Sequence, residues 1–213
     1  MSTRPYVIRQ GDYLTQLAHR MGFDADVVWN DDRNRELRER RPDRDMLRPG
    51  DVLQVPEAAP AGLDLSPHTS NGFKATIPRV EVRLTLRDVE GHAYASEPFC
   101  VHGLPRPTHG TTDGDGCAVI AVPVNLPEVQ LVLERPGRVF RVCVGHLDPI
   151  GEPSGVRQRL AHLDHLVPLT IETDDEDARL RRAVESFQRA RGLDVTGVVD
   201  DSTRQALHDA HGS

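Results

Sequence analysis

Apolar positions change period along this 213-residue chain, and the changes mark out its parts. A short alternating run, Tyr6-Val7-Ile8-Arg9, leads into Gly11-Asp12. Leu14, Leu17, Ala18 and Met21 then recur at i, i+3, i+4 and i+7, the spacing of one helical face. Gly22 is placed to end that helix. A second helix is predicted from near Asp24 or Asp26 and carries Val27, Val28 and Trp29. The charged stretch from Asp31 to Arg44 continues or follows it. Pro49-Gly50 is a turn signal. Val52, Leu53 and Val55 make a closing strand stopped by Pro56. Residues 1–57 therefore read as β-α-α-β.

Residues 58–77 are rich in Ala, Pro, Gly and Ser and read as a linker, with a strand expected near its end. From 78 to 147 the period is two. Val80, Val82, Leu84 and Leu86 alternate with polar residues, the mark of a half-buried strand. Further strands are predicted at 93–102, 117–122, 129–133 and 139–144. Turns at Glu90-Gly91, Asp113–Gly116 and Pro136-Gly137 separate them. Five or more short strands suggest a small β-sandwich. Residues 148–213 return to the helical period. Ser154 is a candidate cap for a helix carrying Val156, Leu160 and Leu163. A second helix is predicted over 175–191, with Leu180, Ala183, Val184 and Phe187 on one face and Gly192 past its end. A third begins at Asp200 or Asp201. The fold class is multidomain α+β.

Composition narrows the function classes. The net charge is −7, against the clustered positive charge that duplex binding needs, so nucleic acid is not expected as a partner. Aromatics make up 4 %, which leaves cores built on Leu, Val and Ala. No stretch reaches the ~20 apolar residues of a membrane span. The start of the chain has no apolar signal region, so synthesis in the cytoplasm without a signal peptide is expected. Cys100, Cys117 and Cys143 sit in apolar alternating stretches at spacings that match no metal motif. They read as buried structural thiols, and a disulfide would leave one over.

Four resemblances sharpen this. Tyr6-x-Ile8-x-x-Gly11-Asp12-x-Leu14-x-x-Leu17-Ala18, then Asn30, then Leu47-x-Pro49-Gly50-Asp51-x-Leu53-x-Val55-Pro56 resembles the LysM family. That resemblance implies binding of N-acetylglucosamine-containing glycans such as peptidoglycan. Its sugar groove would fall on Gly11, Asp12, Tyr13 and Leu14 and on Met46, Leu47, Arg48 and Pro49. The family usually has Thr where Tyr13 stands, so Asp12 is expected to cap the first helix. The tail Ala183-Val184-x-x-Phe187-Gln188-x-x-x-Gly192-Leu193-x-Val195-Thr196-Gly197-x-Val199-Asp200-x-x-Thr203-x-x-x-Leu207 resembles the three-helix peptidoglycan-binding domain family. There the family's usual loop between helices one and two is replaced by 168–177. The middle segment, with Thr112-Asp113-Gly114-Asp115-Gly116 before a strand, is similar to transthyretin-like or carboxypeptidase-regulatory-like β-sandwiches. The whole order resembles accessory proteins of contractile injection machines, of the type VI secretion or phage-tail kind. That implies spike or baseplate partners and assembly into, or delivery by, such a particle.

Sharper chemistries lose to plainer ones. Asp113-x-Asp115-Gly116 lacks the carboxylate of a calcium loop at Val124 and reads as a turn. His162 and His165 could share a helical face as metal ligands with His146 nearby in sequence, but no recognised third spacing appears. Trp29 reads as core. No motif for peptidoglycan cleavage is present, so no catalytic residue, metal or cofactor is expected. The expected function is non-catalytic glycan binding. The rival is a structural protein-docking adaptor with no glycan affinity.

Overall fold

The computed structural model describes residues 2–57, 70, 76–88, 90–135, 137–166 and 175–212. Most of the expected linker 58–77 and of the 168–177 loop lies outside these residues. The strand expected near the linker's end falls there as well. The described elements run in the order β1 (Thr3–Val7), α1 (Leu14–Met21), α2 (Ala25–Asn30), a 3-10 turn (Asp32–Asn34), α3 (Arg35–Arg40), β2 (Val52–Pro56), β3 (Arg79–Thr85), β4 (Pro98–His102), β5 (Thr108–Thr111), β6 (Cys117–Pro123), β7 (Glu128–Leu133), β8 (Val139–Cys143), α4 (Pro153–His162), α5 (Glu176–Arg191) and α6 (Asp201–His211). The protein is thus mixed α+β. No helix among the described residues is long and apolar enough to cross a membrane. The chain divides into two compact units. One holds Met1–Val82, Pro98–Gly110 and Ile120–His146; the other holds Arg83–Glu97, Thr111–Val119 and Leu147–Ser213.

In the first unit, β1 and β2 pair antiparallel, with Tyr6 opposite Leu53 and Val7 opposite Val52. Ile8, Leu14, Leu17, Val28, Trp29, Leu37, Leu47, Leu53 and Val55 form one buried cluster. Trp29 belongs to this core. α1 ends as its sequence predicts: Gly22 takes a left-handed φ of 73° and its N–H returns to Ala18 O. Its start differs from expectation. Asp12 does not cap it, because Asp12 Oδ2 already accepts from Tyr6 Oη at 2.8 Å and Arg9 N at 3.0 Å. The cap comes from across the module, where Asp45 Oδ1 accepts from Thr15 N at 2.8 Å. The 3-10 turn is tied to β2 by Asn34. Its side chain donates to Val28 O and Gln54 O and accepts from Gln54 N. Asn30, the motif's asparagine, is exposed and donates to Asp26 O.

The same unit contains the sheet β5-β4-β7-β8, while β3 pairs with β6 in a sheet of two. β4 and β7 are antiparallel, with Cys100 opposite Val132. β7 and β8 are antiparallel, with Leu131 opposite Phe140. Phe99, Val101, Val129, Leu131, Leu133 and Val142 are buried, which defines an inner face at alternate positions.

In the second unit, the predicted strand over 93–102 begins only at Pro98. Residues 94–97 are held by a loop instead of a ladder: Glu97 N donates to Thr112 Oγ1, Thr112 N to Glu97 O, and Ser96 N to Asp113 O. Ser96 sits at φ 53°, which no extended strand allows. Asp113 Oδ1 accepts from Asp115 N and Cys117 N, a turn-closing role that agrees with the plain reading of that segment. The cysteines depart from the expectation of uniform burial. All three are free thiols; Cys100 is buried, Cys117 intermediate and Cys143 exposed.

Candidate functional site

The helical part of the second unit packs Val156, Leu160, Ala183, Val184, Phe187 and Leu207 into a core. Each helix starts and stops for a local reason. α4 begins at Pro153, whose fixed φ suits the first helical position. Ser154 therefore lies inside the first turn and does not cap it, and its buried Oγ has no hydrogen-bond partner among the described residues. The segment before α4 is stitched onto it. Asp148 N donates to Gln158 Oε1 at 2.7 Å, and the buried Arg159 donates from Nη1 to Asp148 O at 2.8 Å and Gly155 O at 3.0 Å. A Cβ on Gly155 would stand 2.1 Å from Pro149 O, so only glycine lets this backbone approach. Burial pushes the Arg159 guanidinium down to about 10, against the pull of Asp148.

α5 is capped by Asp175 and stops at Gly192, φ 66°. α6 is capped by Asp200, whose Oδ1 accepts from Thr203 N at 2.7 Å. The Thr203 hydroxyl first, then that backbone bond and the Ser202 hydroxyl, hold the Asp200 carboxyl down at about 2. Between these helices runs 193–199, organised by the fully buried Gln188. Its Oε1 accepts from Thr196 N at 3.0 Å and Gly197 N at 2.9 Å. Its Nε2 donates to Thr203 Oγ1, Val198 O and Thr196 Oγ1. Gly197 makes the reversal at φ 70°. The turn so fixed presents Val195 and Val198 to solvent at 47 % and 63 % exposure. Gln188 stood in the sequence motif, but nothing in its spacing marked it as the organiser of this loop.

The histidines of this module do not assemble as a pair on α4. His162 Nδ1 meets His211 Nε2 at 2.9 Å across two helices, with the rings stacked at 5.2 Å. His165 Nδ1 instead meets Ser186 Oγ at 3.1 Å and stands edge-on to Phe187. Burial, then His162, Arg159 and His208, push the His211 imidazole down to about 4; burial also lowers His162 and His165. A histidine lowered in the fold binds its proton in the unfolded chain first. Its share of stability is complete above the unfolded value of 6.5 and is lost as pH falls toward about 4. The urea midpoint of the helical transition, followed by circular dichroism, is expected to fall across that window. His211→Gln is expected to flatten the fall, and an unchanged slope would sink the assignment to this residue.

The two LysM-like loops are brought together in the first unit. Leu14 N donates to Arg44 O, and Asp45 caps α1. Asp12, Leu14 and Leu47 are buried, Gly11 and Met46 are intermediate, and Arg48 and Pro49 are exposed. Asp51 shapes the second loop. It accepts from Arg48 N at 2.9 Å and makes a buried, two-pronged pair with Arg41. Burial alone would raise the Asp51 carboxyl, but Arg41 and the Arg48 N–H outweigh it and hold it low. Tyr13 is 2 % exposed and points into its own unit, its hydroxyl 3.4 Å from Val124 O. A Cβ on Gly145 would lie 2.6 Å from the Tyr13 ring, and one on Gly11 would lie 3.2 Å from His146 Nε2. Gln10 Nε2 donates to His146 O. The Gly11–Tyr13 lip is thus covered by residues 124 and 145–146.

Residues 154–207 match the family described as "Putative peptidoglycan binding domain". No curated protein and no solved structure matches the chain. The matched span runs from the first turn of α4 to Leu207 in α6 and encloses the Gln188-held turn. The chain therefore carries a peptidoglycan-binding domain at residues 154–207.

Proposed function

We propose that this protein is a peptidoglycan-binding modular protein that holds the wall polymer without cutting it, and that the three-helix module makes the principal contact. The family match over 154–207 carries this reading. The fixed turn with Val195 and Val198 exposed supports it, since shallow glycan and peptide sites combine apolar contact with rigid backbone groups. The test is co-sedimentation of the full chain with purified sacculi. Saturable binding is expected, and Val195→Asp with Val198→Asp should weaken it at least about tenfold, the loss of ~1.4 kcal/mol of contact. Absence of saturable binding would remove the reading.

The second reading is a protein-docking adaptor, and the covered Gly11–Tyr13 lip favours it for the LysM-like module. The exposed Arg48 and Pro49 favour a residual glycan contact there. Competition by N-acetylglucosamine oligomers separates the two: displacement from sacculi keeps the glycan role, and no displacement leaves docking. We place the chain among accessory proteins of contractile injection machines, made in the cytoplasm and loaded onto a spike or baseplate. That finer proposal rests on the order of its modules. Its test is recovery of such a protein with the tagged chain from its own cells, and a chain that remains monomeric and alone counts against it.

A further inference from the structure

The outward face of the four-stranded sheet carries a side-chain arrangement that peptidoglycan binding does not use. Phe99 and Val101 are buried on the inner face, so Cys100 between them points the other way. Its Sγ lies 3.8 Å from His109 Nε2 on β5. His109 Nδ1 lies 3.3 Å from Glu134 Oε1, just past β7. The backbone fixes this geometry. Glu134 N donates to Pro98 O at 2.9 Å, setting the carboxylate beside β4. A Cβ on Gly110 would stand 2.4 Å from Phe99 Cζ, so β5 seats close on β4 because the residue after His109 has no side chain.

Both nitrogens of one imidazole are engaged, the thiol at one and the carboxylate at the other. A carboxylate facing Nδ1 selects the tautomer with its proton there, which turns the Nε2 lone pair toward the thiol. This is a nucleophile with a base oriented by a third group. We propose that Cys100 is a reactive nucleophile of this protein, with His109 as its general base and Glu134 positioning the imidazole, and that it reacts with small hydroperoxides. The size limit follows from burial, since Cys100 is 7 % exposed and admits only a small reactant. As Sγ attacks one peroxide oxygen, its proton passes to His109 Nε2 and the O–O bond breaks. The departing oxygen takes that proton back. Sulfur is oxidised by two electrons to the sulfenic acid, and the peroxide is reduced by two to water or an alcohol.

Exposure alone ranks the thiols the opposite way, with Cys143 first. The test treats the full chain with hydrogen peroxide, traps sulfenic acid with dimedone and maps the three cysteine peptides by mass. Cys100 is expected to label at least about tenfold faster than Cys143, a floor set below the ~10²–10⁴-fold that a placed base contributes because Cys100 is the more buried thiol. His109→Gln is expected to slow Cys100 by at least that factor and leave Cys143 unchanged. Glu134→Gln should slow it less, with part of the rate restored in Glu134→Asp. The sign separates chemistry from damage, because a variant that merely loosens the sheet exposes Cys100 and speeds its reaction. Cys143 labelling first, or Cys100 unchanged or faster in His109→Gln, overturns the proposal. Should His109→Gln not fold by circular dichroism, Glu134→Gln carries the same test of sign.

Discussion

Replacing Gln188 with alanine is expected to destabilise the three-helix module by about 3–4 kcal/mol and to abolish saturable binding to sacculi. The size follows from how completely this amide is used. Its oxygen takes two backbone N–H groups, and its nitrogen serves Thr203, Val198 and Thr196. Truncation leaves the buried Thr203 hydroxyl without this donor, strips the Gly197 N–H of its acceptor, and leaves the Thr196 N–H to Asp194 O alone. Each stranded buried group costs ~1–3 kcal/mol, reduced here because Thr196 is exposed and gains water. A natural domain holds only about 5–15 kcal/mol in total, so the module loses a large share. Binding fails for a second reason, since Val195 and Val198 are set by the same turn. Urea unfolding read by helical circular dichroism measures the first effect and co-sedimentation the second. A loss under ~1 kcal/mol would mean that Gly197 and the Thr196 N to Asp194 O bond hold the turn unaided.

The module containing Gln188 was the most legible part of the chain, for physical reasons. Its helices are bounded by local signals, Gly192 stopping α5 at a left-handed C-cap and Asp200 starting α6 at its N-cap, and its core repeats at the helical period. Local signals mislead where the deciding group is remote in sequence. Asp12 is adjacent to α1, yet Asp45 caps it from thirty residues away. Ser154 has the right chemistry for a cap, but Pro153 moves the helix start ahead of it. β5 has the sequence Thr-His-Gly-Thr, with no apolar alternation, and is a strand only because β4 pairs with it. For the same reason Cys100, His109 and Glu134 form no spacing motif: three strands bring them together, and only the pairing shows it. Alternation placed every cysteine near a sheet without saying which edge or face would cover it, so Cys143 came out exposed.

Tyr13 is where the LysM resemblance and the structure part, and its removal is the other large effect expected. Tyr13→Ala should cost about 3–5 kcal/mol, the range for emptying a buried aromatic site. The ring is closely surrounded: a Cβ on Gly145 would lie 2.6 Å from it, and Val124 O stands at its hydroxyl. Burial, with the Asp45 carboxylate behind it, pushes the phenol up to about 12, so it stays neutral throughout the physiological range. The hydroxyl itself contributes little, because 3.4 Å is a long contact, and Tyr13→Phe should stay within ~1 kcal/mol of the parent. The pair of variants therefore measures packing apart from hydrogen bonding, by urea midpoints at neutral pH. If alanine cost no more than phenylalanine, the ring would not be holding the 10–13 loop against residues 124 and 145–146. The 11–13 lip would then be open. If the full cost appears, one side of that groove is sealed by the protein's own core. Any sugar contact at this module must then come from the Arg48-Pro49 side.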